Sequence, residues 1–208
     1  MATKREGPMT NYAVLTGDIV KSSQLPEGGL DRIFGNLQRA ADLIAGWQDA
    51  PTYLTRNRGD GWQLAVAPRF ALRAVFAARA AVRMTDKRFD TRIALAIGDG
   101  SVPGETLADA RGPVFTASGQ ALEAMPRRRD MVVVGDEGTL AITLRLSEEI
   151  IKRWTEAQAE VALLALNPSG PTQESIATRL DLSQQGVQKH IDASGVDALI
   201  DVCEALDG

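Results

Sequence analysis

The chain has one cysteine and one histidine among its 208 residues, so it is poor in soft metal ligands. That scarcity excludes an internal disulfide and a zinc site assembled within one chain. Any metal is therefore expected to be a hard cation on carboxylates, magnesium or manganese. The lone Cys203 fits a reducing compartment, and a cytoplasmic location is expected. No apolar run reaches the ~18 residues of a membrane span. The first eight residues are polar and lack the apolar stretch of a secretory signal.

Hydrophobic residues make up 44% of the chain and charged residues 24%, a balance that can fill a core. The length suggests one large domain, or a medium domain with a small one. Charge is unevenly spread. From Trp154 onward two bases face nine acids, a net of −7; with −4 for the whole chain, the remainder carries +3. Two regions with different partners are expected, divided as 1–136 and 137–208.

Taken in order, Tyr12 to Asp18 is a short apolar run and reads as a buried strand. Leu30, Ile33, Phe34, Leu37, Ala40, Ala41 and Ile44 recur at helical spacing, predicting a helix from about Gly28 to Trp47. Two strand-like runs, 51–55 and 62–66, flank Gly59-Asp60-Gly61, a tight hairpin of the I′ or II′ kind. An alanine-rich helix over Phe70 to Met84 follows, with Arg79 at the edge of its apolar stripe and its head reaching water. Thr91 to Gly98 is a strand, Phe115 to Met125 a helix stopped by Pro126, and Met131 to Val134 a strand. The order is βαββαβ with an addition, an α+β class with ferredoxin-like topology. In that topology the first strand lies beside the hairpin, and Asp18 approaches Asp60 at one sheet edge.

Beyond this point Leu140 to Trp154 is taken as a helix, although 140–144 also suits a strand. Thr155-Glu156-Ala157-Gln158 has the spacing of a capping box. Thr172 and Ser183 cap two further helices in a helix-turn-helix pattern, where Ala177 permits close crossing, Leu182 plugs the turn and Val187 anchors the second helix. Gln184, Gln185, Gln188 and Lys189 would face a DNA groove, since glutamine pairs with adenine edges. The strongly acidic balance argues against phosphate contacts and equally suits protein contact. His190 is expected to pack, partly buried.

Val14-Leu15-Thr16-Gly17-Asp18-Ile19, followed by Arg58-Gly59-Asp60-Gly61-Trp62, resembles the metal-binding pair of class III nucleotidyl cyclases. Those enzymes share a palm-like βαββαβ domain with the diguanylate cyclases. The resemblance covers about Tyr12 to Val134. It implies that Asp18 and Asp60, with the carbonyl of Ile19, hold magnesium or manganese. It also places Arg56 and Asp109 near a purine, with Gly59, Gly61 and Thr116 in the nucleotide site. The family's catalytic asparagine falls on Thr116 and its phosphate-binding arginine on Gln120, so the implied transition-state groups are replaced. Losing such a charge-stabilising donor costs a factor of about 10² to 10³.

The whole chain is also similar to the SatD family. The shared features are Gly17-Asp18, the Gly-Asp-Gly hairpin, Gly112-Pro113-Val114-Phe115 and Trp154-Thr155-x-x-Gln158. That similarity joins the two modules as one unit; the resemblance to the cyclases implies a nucleoside-triphosphate-binding regulatory protein with weak or no cyclase turnover, commonly dimeric. Arg127 to Arg129 are candidates to supply a cation across a homodimer. The alternative is a DNA-binding regulator whose first domain senses a ligand or dimerises. A structural adaptor whose acidic module docks a basic partner is a third possibility.

Overall fold

A computed structural model describes residues 9–57, 59–136 and 138–206; the polar lead 1–8 and Arg58, both used above, lie outside them. Five strands form one sheet: β1 (Thr10–Val20), β2 (Tyr53–Arg56), β3 (Gly61–Val66), β4 (Asp90–Gly100) and β5 (Met131–Val133). Their spatial order is β2-β3-β1-β4-β5. β1 is antiparallel to both β3 and β4, and β5 runs parallel to β4. This is the expected ferredoxin-like order with one added strand. β4 continues beyond the expected end at Gly98 through Asp99 and Gly100, which pair with Asn11 and Thr10.

Strand alternation divides the sheet into two unequal faces. Ala13, Leu15, Trp62, Leu64, Ile93 and Leu95 face α1 (Gly29–Gln48) and α2 (Ala71–Arg83) in the main core. Val14, Ala65 and Ala96 face α3 (Pro113–Glu123) in a smaller cluster with Val114. Further along this second face the strands carry polar side chains, which is where the candidate site lies.

Helix α2 is buried along its whole length, with small alanines letting its neighbours approach from every side. The expectation that Arg79 reaches water therefore fails: it is 0% exposed. Its charge is answered from the sheet, because Asp90 at the start of β4 receives its Nε at 2.9 Å. The Asp90 carboxylate also takes Arg83 Nη1 at 3.1 Å. Arg83 Nη2 then reaches the carbonyls of Lys152 and Trp154, each at 2.8 Å.

The helix expected after residue 140 forms as α4 (Thr139–Ile151), followed by α5 (Glu156–Ala165) with the full capping box of Thr155 and Gln158. Glu148 of α4 is buried and accepts the backbone N–H groups of Asp130 and Met131, tying α4 to β5. The two capped helices form as α6 (Gln173–Leu180) and α7 (Gln184–Ser194). The final helix, α8 (Val196–Leu206), buries Val196, Leu199 and Cys203 and was not anticipated. Leu182 does not plug the turn. It is 39% exposed, because Asp181 takes a left-handed conformation (φ 54°) that turns the chain before Ser183 caps α7. Val187 is fully buried as expected, and His190 is half-buried. The apolar core runs without a break from the sheet through Leu144, Trp154, Val161 and Val187.

Candidate functional site

The candidate site is the corner where β1 ends and the β2–β3 connection turns back. Asp18 lies in register with Gly61 on one side and Arg92 on the other. The hairpin is looser than a two-residue turn. Arg56 and Trp62 are its last pair, Asn57 N–H reaches the Gly61 carbonyl at 2.8 Å, and Gly59 and Asp60 lie in the turn. Gly59 supplies the positive φ of 79° that such a connection needs. The Asp60 carbonyl then accepts Ile19 N–H at 3.3 Å, so the backbones carrying the two aspartates are joined. The expected approach of Asp18 and Asp60 at one sheet edge is thus seen in the backbone.

Their side chains are already engaged. Arg92 stands directly opposite Asp18 on β4 and forks onto it, with Nε 2.9 Å from Oδ1 and Nη2 bonded to Oδ2. These hydrogen bonds hold the Arg92 guanidinium above its ordinary pKa, with partial burial opposing them and the charges of Asp130 and Asp60 adding to the effect. Asp60 Oδ2 accepts the hydroxyl of Ser22. Thr91, the neighbour of Arg92, donates its hydroxyl to the Asp18 carbonyl at 2.7 Å and receives Trp62 Nε1 at 3.0 Å.

A polar chain crosses the same face of the sheet one step further in. Gln63 Nε2 donates to Thr16 Oγ1 at 2.9 Å, and Thr16 Oγ1 lies 2.7 Å from Ser118 Oγ. Ser118 Oγ in turn donates to the Phe115 carbonyl at 3.1 Å. With one proton on each hydroxyl, the chain is satisfied if Thr16 donates to Ser118. It fixes α3 against β1 and leaves Thr116 exposed beside it, with Gln120 exposed one turn on.

The remaining expected residues are distributed around this corner. Ile19 and Gly61 lie beside the aspartates through the contacts above. Asp109 is exposed in a short 3₁₀ turn whose Leu107 N–H reaches Thr55 Oγ1 of β2 at 3.3 Å. Arg56 is placed otherwise. Its pairing with the core-facing Trp62 turns it toward α1, away from the face that carries Asp18. There it bonds Asp31 at 2.8 Å and lies 4.3 Å over the Phe34 ring.

On α7, Gln184, Gln185 and Lys189 are exposed. Gln188 is tied to Gln173 of α6 and, at 2.6 Å, to Asp192. It serves the packing of the two helices, leaving fewer free groups for a groove.

Whether these residues fit a divalent ion can be tested on the donor set. Both Asp18 oxygens accept from Arg92, and Asp60 is held by Ser22. Among the described residues no group of three or more His, Cys, Asp or Glu could hold a metal. Magnesium keeps several waters and takes one or two carboxylates, so the engagement of the two aspartates decides the fit. The arrangement therefore does not fit magnesium or manganese on Asp18 and Asp60, because a guanidinium already stands at the first of them. Arg92, Ser22, Gln63 and Ser118 were missing from the sequence-based site. Alternation along β4 marks Arg92 as facing away from the core, but only the register identifies its partner.

No family model matches the chain, and no curated protein does. Several solved structures are similar to it. One is a bacterial light-regulated adenylyl cyclase, 16% identical with a TM-score of 0.45, covering 62% of this chain and 44% of that one. Another is the GGEEF domain of a diguanylate cyclase from Vibrio cholerae, 14% identical with a TM-score of 0.38, covering 61% of this chain and 85% of that one. A third is a guanylyl cyclase domain from the aquatic fungus Blastocladiella emersonii, 15% identical with a TM-score of 0.40, covering 57% of this chain and 78% of that one. The chain spans less than half the length of the first of these.

Proposed function

We propose that the chain is a nucleotide-binding regulatory protein that takes its ligand at the Asp18–Asp60–Arg92 corner and does not turn it over as a cyclase. The observation that carries this reading is the joining of β1 to the hairpin, which brings two carboxylates and one guanidinium to a single half-buried corner. These groups suit the two ends of a nucleotide. Asp60 can accept from an N–H donor of a base, and a guanidinium can pair with phosphate oxygens beside the carboxylate it already holds. The hydroxyls and amide of Thr16, Ser22 and Gln63 add neutral partners on the same side.

The absence of turnover follows from the residues on α3. A reaction at phosphorus develops charge that needs a preorganised donor, and the positions that would supply it hold Thr116 and Gln120. Neither brings a positive charge.

The test is calorimetric titration with ATP and GTP, in EDTA and in magnesium, comparing the parent with Asp60→Asn. Binding by the parent that weakens about tenfold or more in Asp60→Asn is expected. Equal binding by both proteins would remove Asp60 from the site, and no binding by the parent would overturn the reading. Incubation with ATP or GTP is expected to give no cyclic product.

A further inference from the structure

The disagreement between the expected metal and the observed side chains is itself informative. We propose that Arg92 is the resident cation of this corner, and that the chain as it stands takes up no divalent ion at Asp18. The inference concerns the corner used by the nucleotide reading, yet its test needs no nucleotide.

Three features of the structure carry it. The first is completeness: the guanidinium presents a planar fork, and both oxygens of the Asp18 carboxylate are used by it. The second is delivery. Arg92 sits inside an eleven-pair antiparallel ladder between β1 and β4, third from its end and directly opposite Asp18, so its position is set by backbone register. A loop residue could drift away; this one is brought back at every closure of the ladder. The third is permanence. An arginine keeps its charge across the accessible pH range, so the carboxylate cannot be released by a proton leaving its partner.

The surroundings reinforce the pairing. Asp130 and Asp60 lie close enough to favour the Arg92 charge, so one monovalent side chain serves several acids. A dication at Asp18 would have to displace a charge-assisted bidentate partner or share the carboxylate with it, and in either case would stand beside the guanidinium.

A consequence follows for the residues themselves. With Arg92 removed, Asp18 and Asp60 become two uncompensated carboxylates at one strand end, the composition that hard cations favour. The metal site suggested by the motif is thus latent, covered by a single side chain.

Manganese binding to the full chain, followed by electron paramagnetic resonance of the free ion, tests this directly. The parent is expected to leave manganese free. Arg92→Gln is expected to acquire a site with an affinity at least about tenfold above the parent's, and Arg92→Gln with Asp18→Asn to lose it. Arg92→Lys keeps a charge beside Asp18 and is expected to stay closed to manganese. Tryptophan fluorescence checks that each variant is folded, since Trp62 is tethered through Thr91 to the Asp18 carbonyl. Manganese uptake by the parent that is abolished by Asp18→Asn would overturn the proposal. So would a folded Arg92→Gln that gains no site. If Arg92→Gln does not fold, Arg92→Met with the same readout takes its place.

Discussion

Arg79 and Asp90 form a forked ion pair that spans from the middle of a fully buried helix to the first residue of β4. The arginine is 0% exposed and the aspartate side chain 14%. The same carboxylate receives Arg83, which reaches onward to the backbone of Lys152 and Trp154. One acid thus links the sheet, α2 and the entry to the C-terminal helices.

Removing Arg79 strips Asp90 of its forked partner inside the core and leaves Arg83 as its remaining cation. Arg79→Leu is therefore expected to cost about 3–5 kcal/mol in unfolding free energy. Replacing Asp90 by Asn in the same chain should recover part of that loss. Denaturant titration of the four proteins in the cycle measures both quantities. Additive losses would show that the two side chains are not coupled.

How much of this was legible in the sequence depended on distance along the chain. Features set by neighbours a few residues apart were readable. The capping box at Thr155 and Gln158, the helix over 140–151 and the hairpin near Gly59 all formed where local chemistry placed them. Features set by distant partners were not. Arg79 resembles a stripe-edge arginine until α2 is covered on all sides, and Arg92 resembles an outward strand residue until register sets Asp18 opposite it. The exposure of Leu182 depends on the left-handed turn at Asp181, which its own position in the helix-turn-helix pattern does not reveal. Helix α8 is of the first kind, since the spacing of Val196, Leu199 and Cys203 is that of a helix face.

Gly17 gives a second prediction, independent of charge. A Cβ added there would lie 2.5 Å from Trp62 Cε2 and Cζ2 and 2.7 Å from the Arg92 carbonyl. Backbone stands on one side and a buried ring on the other, so neither yields cheaply. Gly17→Ala is expected to cost about 1–3 kcal/mol, the usual range for overpacking a filled core. The Trp62 ring should also shift, seen as a changed tryptophan emission in the folded protein. A melting temperature and emission equal to the parent's would contradict the packing described.

Acid titration provides the third. Glu156, in the first turn of α5, accepts the Lys87 N–H at 2.9 Å, and that backbone hydrogen bond holds its carboxyl below the ordinary range. Next to it, Asp86 is held down to about 2 by its hydrogen bonds with Arg88. A carboxyl with a depressed folded pKa contributes stability above its unfolded value and loses it as pH falls through the folded one. The unfolded values are about 4.3 for Glu and about 3.9 for Asp. Both contributions are accordingly complete at neutral pH. Glu156→Gln should be less stable than the parent at pH 7, with the difference shrinking as pH falls below about 4.3. Asp86→Asn should show the same trend, fading between about 3.9 and about 2. Thermal unfolding at a series of pH values measures both curves. A Glu156→Gln deficit that stayed constant into strong acid would mean that the carboxylate's charge has no part in fastening α5 to the α2–β4 connection.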